Sequence, residues 1–471
     1  MKAPKKSKSP IQSKLLHLIF SLNLSKQRDI QDFALIRSNQ LSPRDQQILK
    51  ELLTERKSFM PKTEDEIWEA VLEGSEKENK NRNRIKNRLL RTVERYLAML
   101  QLDQHTALRN LVLSRHYTTQ GILKNATLLH QSSIRKLEQS DNFEDRIYLF
   151  WMHEIALHNN KDIRRQDKSL DGMEKSLSDF YIGHRLRLMC EIANRIHIIG
   201  GKDRIPEFGK ELAYLTNQTT SEHILIYASL FEMITQQQVH NYHEIETYIV
   251  ENQNKLKANA VREFYVYLIN FCIRQLNQGD IEFARKYLHF FELLEEKGWL
   301  LENGNLGVGR LQNSILAAII TDRLAWAKEK LDQYKNNLAA DKTFDRKVFI
   351  SLNMATIELH SGNLDHAQIY AKEFMDSNGY RKDLYYKLSC DKLLLKLFYL
   401  GEEYEAAINK IRNIKAYIEH KKLPEERKPK PLHFLRIVER LINRKTINEV
   451  DLQNRLLIPD YLWYKKFIKK E

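Results

Sequence analysis

One stretch of the chain carries basic side chains at a spacing that could bind phosphate groups. Between residues 77 and 95, lysines and arginines recur three or four positions apart, so on a helix they form one stripe beside an apolar face. Such stripes bind phosphates through charge and through bidentate arginine contacts. Alternatively, these long side chains cover the edge of a core. The candidate phosphate ligands are Lys77, Lys80, Arg84, Arg88, Arg91 and Arg95.

Other patterns that suggest catalysis or metal binding have the wrong spacing. The segment HEIALH begins at His153 and ends at His158, so its histidines are five apart, whereas a zinc helix needs them four apart. Five residues separate two side chains by about 140° around a helix. In GNLGVG, residues 304–309, the glycines do not match a dinucleotide loop, and Arg310 follows where a phosphate loop needs lysine. We therefore predict no catalytic residue, metal, cofactor or small-molecule substrate.

The composition indicates that helices position whatever site exists. The chain has 471 residues, of which 42% are apolar and 29% are charged, but it has only 15 glycines and 9 prolines. Sheet-rich folds need many tight turns made from those two residue types, so their scarcity favours long helices. The most apolar run, residues 15–24, is about half the length that crosses a bilayer. Three isolated cysteines fit a reducing cytosol. We predict an all-α cytoplasmic protein without membrane contact.

Local signals mark several helices near the N-terminus. Ser42 is placed to cap a helix that has Pro43 at its first position. Thr63 and Glu66 have the spacing of a capping box. Further along, five apolar residues fall on one face of a predicted helix, which should be its buried face. They are Ile85, Leu89, Val93, Tyr96 and Leu100.

A pattern of about 40 residues recurs in the second half of the chain. Its turn residues are Gly279, Asp322, Gly362 and Gly401, which are 43, 40 and 39 residues apart. Five residues after the turn comes a small side chain that permits close helix contact, with one residue inserted in the fourth unit. These residues are Ala284, Ala327, Ala367 and Ala407. A fainter unit near His240 contains Tyr242 and Ile245. The pattern predicts helix–turn–helix units stacked into an elongated α-solenoid.

The segment NMATIELHSGNLDHA, residues 353–367, resembles a tetratricopeptide (TPR) unit. It has a first helix, a turn of the form Gly-x-aliphatic-x-x-Ala, and a second helix. The resemblance covers about residues 270–418, although the repeat is longer than the roughly 34 residues of that family. The chain also resembles a family of bacterial helical-repeat proteins in the segments SKQRDIQDF, LRLMCEIANR and NFCIRQLNQGD. That second resemblance implies a helical fold but no chemistry.

The TPR resemblance implies a binding role for three asparagines, each nine residues before a turn residue. In TPR proteins the asparagine at this place lines the concave groove and binds a peptide backbone or a terminal carboxylate. The alternative is that each amide bonds a backbone group on a neighbouring helix, since buried amides need partners. The candidate groove ligands are Asn270, Asn313 and Asn353.

These patterns predict five regions and one favoured function. The regions are a disordered basic tail (1–14), an N-terminal helical region (15–120), a central helical region (121–215), a TPR-like array (216–420) and a basic linker with capping helices (421–471). The net charge of +14 indicates an acidic partner. We predict a non-enzymatic scaffold that binds an acidic protein or peptide on its helical-repeat surface. The alternative is a nucleic-acid-associated protein that uses the basic stripe and the tail.

Overall fold

The computed structural model shows an all-helical chain, as predicted. It describes residues 14–21, 24–35, 41–54, 63–72, 76–140, 142–159, 168–199, 205–302, 304–339, 345–376, 384–420, 428–447 and 452–469. These ranges hold α-helices, one 3-10 helix and two isolated β-bridges, and no strand occurs within them. No helix in these ranges is long and apolar enough to span a bilayer. Apart from Lys14, where the first helix begins, the predicted tail lies outside the described residues.

The chain divides into two compact units, Met1–Tyr181 and Ile182–Glu471. The first unit contains helices α1 to α8 and the beginning of α9. They are α1 (Lys14–Ser21), α2 (Leu24–Leu35), α3 (Pro43–Thr54), α4 (Glu64–Val71), α5 (Glu76–Gln104), α6 (Thr106–Thr119), α7 (Leu123–Glu138), α8 (Arg146–Asn159) and α9 (Lys168–Ile199), with the 3-10 helix Phe143–Asp145 before α8. One core joins α1 to α5 around Trp68, and a smaller core joins α6, α7 and α8 around Met152.

The predicted local signals form in the first unit. Ser42 Oγ accepts a hydrogen bond from the backbone N–H of Asp45 at 3.1 Å, which caps α3. The capping box of α4 is complete: Glu66 Oε2 accepts from the Thr63 N–H at 2.7 Å, and Thr63 Oγ1 accepts from the Glu66 N–H at 3.4 Å. On α5 the predicted apolar face is buried, except that Leu100 is only partly buried. This face comprises Ile85, Leu89, Val93, Tyr96 and Leu100.

The second unit contains the rest of α9 and the helices that carry the predicted repeat. They are α10 (Ile205–Thr216), α11 (Glu222–Gln236), α12 (Val239–Asn252), α13 (Ala258–Leu276), α14 (Ile281–Glu296), α15 (Val308–Ile320), α16 (Leu324–Tyr334), α17 (Arg346–Ser361), α18 (Leu364–Met375), α19 (Leu384–Leu400), α20 (Tyr404–His420), α21 (Pro429–Ile442), α22 (Leu452–Arg455) and α23 (Ile458–Phe467). From α10 to α23, each helix packs against the next one along the chain. In addition, α11 packs against α13, α15 against α17, and α17 against α19.

Left-handed residues mark regularly spaced corners of this unit. Six of them lie 40 to 43 residues apart, at Gln237, Gly279, Asp322, Gly362, Glu402 and Arg444, and two others, Gly298 and Gly304, lie in the connection between α14 and α15. At the fourth predicted turn the left-handed residue is Glu402, with φ 60°, and not Gly401. This shift removes the inserted residue, because Ala407 then follows its turn residue by five positions, as Ala284, Ala327 and Ala367 do. At the fainter unit Gln237 precedes Tyr242 by the same interval, and Tyr242 is fully buried.

Each of the four alanines is fully buried on the second helix of its pair. We therefore expect Ala367→Leu to lower the free energy of unfolding by about 1–3 kcal/mol, because a larger side chain overpacks the contact between the helices. Lys372→Leu is the matched control, since it introduces the same side chain at an exposed position of the same helix. Urea denaturation measures both changes. Equal losses at the two positions would contradict a close contact at Ala367.

Candidate functional site

Two of the three candidate asparagines line one cavity in the second unit. Asn270 reaches it from α13 and Asn313 from α15, and the cavity has a volume of about 350 Å³. Its third wall is the connection between α14 and α15, where Gly307 caps the N-terminus of α15. We call this the polar cavity. The segment GNLGVG, which we excluded as a dinucleotide loop, thus forms part of a cavity wall.

A buried tyrosine, Tyr287, lines the polar cavity. The hydroxyl of Tyr287 donates a hydrogen bond to the backbone oxygen of Arg310 at 3.0 Å, and its side chain is also hydrogen-bonded to Asn313. Burial raises the pKa of Tyr287 above its ordinary value, so the phenol stays protonated at neutral pH. The hydrogen bond of Asn313 to this hydroxyl therefore holds the amide at the cavity surface.

Asn270 is held more loosely than Asn313. Its Nδ2 donates to Oδ1 of Asn194, on α9, at 3.4 Å, which is long for a hydrogen bond. Asn194 is itself buried, whereas Asn270 is half-buried and faces the cavity. An amide in this setting can turn its donor and its acceptor toward a bound backbone.

The charges that line the polar cavity leave it positive. Arg262 and Glu302 form an exposed ion pair at 3.5 Å, and Arg310 donates through Nη1 to the backbone oxygen of Leu300 at 3.0 Å. Two guanidinium groups thus accompany one carboxylate. The other walls are apolar and include the ring of Trp299. The arrangement suits a polar chain with one acidic group.

No family model, curated protein or solved structure matches the chain. The chemistry of the polar cavity is therefore inferred from its own residues.

The third asparagine lies outside this cavity. Asn353, on α17, is 1% exposed. Its Nδ2 donates to the backbone oxygen of Phe349 at 2.8 Å and to Oε1 of Gln312 at 3.2 Å. Asn353 is thus a buried amide paired within the protein, although its backbone acceptor is on its own helix and its acceptor on the neighbouring helix is a side chain, not the backbone group that the alternative predicted.

The basic stripe on α5 is divided between structural and exposed positions. Arg88 makes a bidentate pair with Asp45, with Nε to Oδ2 at 2.9 Å and Nη2 to Oδ1 at 2.8 Å, and Asp45 is 2% exposed. Arg84, Arg91 and Arg95 are exposed. The side chains of the two remaining members of the stripe, Lys77 and Lys80, lie outside the described residues.

Two further basic residues of α5, which the stripe did not include, also stabilise the first unit. Arg82 pairs with Asp65 at 2.8 Å and lies over the ring of Trp68, and Lys86 pairs with Glu64. With Arg88, they bind the carboxylates of α3 and α4. Three of the eight basic residues of this helix are thus paired within the unit.

Two cysteines and one histidine that could do chemistry are buried. Burial raises the pKa of both Cys272 and Cys390 to about 12, so their thiols are protonated at neutral pH. His153, from the excluded zinc pattern, is 8% exposed. Among the described residues, no group of three or more histidine, cysteine, aspartate or glutamate side chains could hold a metal ion.

Sequence analysis missed the residues that complete the polar cavity, namely Tyr287, Trp299 and Arg310. A second missed feature is the pair Lys392 and Lys396, four residues apart within the apolar segment CDKLLLKLFYL. Lysines at that spacing share a helix face, so charge inside an apolar helix was predictable.

Proposed function

We propose that the second unit is an α-solenoid of TPR-like helix pairs and serves as a cytoplasmic, non-enzymatic scaffold for an acidic protein segment. The regular left-handed corners and the buried alanines after them support the repeat. The contacts between alternate helices, such as α15 with α17, are those expected when successive pairs stack.

The observation that carries this function is the joint placement of Asn270 and Asn313 in the polar cavity. An extended peptide presents backbone N–H and C=O groups at regular intervals, and side-chain amides can pair with both. Arg262 and Arg310 add the positive charge that attracts an acidic side chain. The nucleic-acid alternative has weaker support, because Arg88 of the stripe is committed to Asp45.

We expect Asn270→Ala combined with Asn313→Ala to abolish capture of the protein partner while the protein stays folded. The two amides are only half-buried, so their loss should remove contacts to the partner more than contacts within the chain. Affinity capture from the native cell, with and without nuclease, measures the effect, and circular dichroism verifies the fold.

Two controls separate the possible outcomes. Asn353→Ala should lower stability by about 1–3 kcal/mol, because a buried amide loses its hydrogen bonds to the Phe349 carbonyl and to Gln312, but it leaves the polar cavity intact. Arg84→Gln combined with Arg91→Gln removes exposed charge from the stripe. Capture that disappears with nuclease and with the arginine variant, but survives the asparagine variant, would instead support binding to nucleic acid.

A further inference from the structure

A buried ionic cluster lies in the second unit, where α19 packs near α23. Lys392 Nζ is 2.6 Å from Asp460 Oδ2, and Lys396 Nζ is 2.9 Å from Asp460 Oδ1. All three residues are buried, with exposed fractions of 7%, 5% and 1%. Lys396 also donates to the backbone oxygen of Pro459 at 3.1 Å. Two ammonium groups therefore share one carboxylate.

The charge of this cluster does not balance. Besides Asp460, the titratable group that interacts with it is His360, which would add positive charge rather than negative. The nearest buried carboxylate on α19, Asp391, is paired with Lys387 and Lys410. Among the described residues, a surplus of one positive charge thus remains in a buried place, which is costly unless an anion accompanies it.

The surplus charge faces an open space. Lys392, Lys396 and Asp460 line a cavity of about 470 Å³, here called the lysine cavity. Ligand sites in proteins typically have volumes of about 300–1,000 Å³. The rest of its lining is mostly apolar, with Leu352 and Leu393 on two facing helices, and the exposed residue Ser389 also borders it.

Both lysines keep donors for a ligand. An ammonium group has three donors. Within the described residues, Lys392 directs one hydrogen bond, to Asp460, and Lys396 directs one, to Pro459, beside its ion pair with Asp460. The ring of Phe434 faces both ammonium groups, and its centroid is 5.7 Å from Lys392 Nζ and 5.4 Å from Lys396 Nζ. Since a phenylalanine ring has no net charge, it does not compete with an anionic ligand.

We propose that the lysine cavity binds a monoanionic carboxylate attached to an apolar body. The carboxylate would accept hydrogen bonds from Lys392 and Lys396, and the body would pack against the leucines of α17 and α19. One negative charge balances the surplus, whereas a phosphate dianion would leave a negative excess beside Asp460. This site does not include the asparagines of the polar cavity, so it succeeds or fails independently of the proposed function.

Calorimetric titration of the full chain with octanoate tests the charge requirement. We expect saturable binding of octanoate and about 10- to 100-fold weaker binding of octanamide, which has the same body without the charge. Lys396→Met should weaken octanoate binding by a similar factor, because it removes one ammonium donor. Lys372→Met, at an exposed position of α18, is the matched control and should leave binding unchanged.

A second titration, with short peptides, identifies the source of the carboxylate. N-acetyl-leucyl-leucine and its C-terminal amide carry the same chemistry on a polypeptide end. Binding of the dipeptide acid but not of octanoate would assign the site to a protein C-terminus, and the reverse would assign it to a free organic acid. Equal affinity for acids and amides, or no saturable binding of either acid up to about 10 mM, would overturn the proposal. Thermal unfolding of Lys396→Met verifies that loss of binding is not loss of fold.

Discussion

Asp460→Asn is expected to lower the free energy of unfolding by about 3–5 kcal/mol, the usual cost of removing one partner from a buried ion pair. The substitution conserves the shape of the side chain and removes only its charge. Lys392 and Lys396 would then be buried without the one carboxylate that contacts both. Burial, and to a smaller extent the charge of Lys392, already lowers the pKa of Lys396, and the two ammonium groups would then repel each other without a carboxylate between them. Urea denaturation near neutral pH measures the loss.

Lys396→Met is the contrasting variant for this cluster. It leaves Lys392 and Asp460 as a neutral pair at 2.6 Å and replaces the lysine stem by an apolar side chain of similar length. We expect it to change stability by about 1 kcal/mol or less, although the Pro459 carbonyl loses a donor. If Asp460→Asn and Lys396→Met cost the same, the cluster has no surplus of positive charge, and the asymmetry that we infer is wrong.

The sequence predicted those parts of the fold that depend on local chemistry. The capping box of Thr63 and Glu66 satisfies backbone donors within four residues, so its signal is complete in a short window. The alanine five residues after each turn is likewise a local requirement of close helix contact. The sequence predicted the fourth turn residue at Gly401, whereas the left-handed residue is Glu402. The prediction was off by one position because glycine is the usual left-handed residue and lies next to Glu402.

The candidate sites depend on contacts that no local pattern contains. Arg88 belonged to a convincing basic stripe, yet its partner Asp45 lies 43 residues earlier in the chain. Asp460 is 68 residues from Lys392, and only the folded unit brings them together. Asn270 and Asn313 shared their repeat position with Asn353, but position in a repeat does not determine which side chain a neighbouring helix covers. Sequence periodicity therefore predicted the faces of helices better than the use of each side chain.

Protonation of one buried histidine should make the second unit sensitive to acid. His360 is 3% exposed, and burial, with the charges of Lys396 and Lys466, lowers its pKa to about 3. An unfolded histidine has a pKa near 6.5. Between these values the unfolded chain binds a proton that the folded chain excludes, so stability falls as the pH falls from about 6.5 to about 3. The slope approaches about 1.4 kcal/mol per pH unit, and the total is about 5 kcal/mol.

His360→Gln isolates this contribution, because glutamine keeps a polar side chain of similar size that does not titrate. Denaturation of the wild type and the variant at about pH 7 and about pH 4 should show that the wild type loses about 3 kcal/mol more than the variant between the two conditions. His366→Gln, which replaces a histidine at an exposed position of α18, is the matched control and should lose as much as the wild type. Parallel losses for the wild type and His360→Gln would mean that His360 takes up its proton in the folded protein. The charges around the lysine cavity would then be more exposed to solvent than the burial of Lys396 and Asp460 indicates.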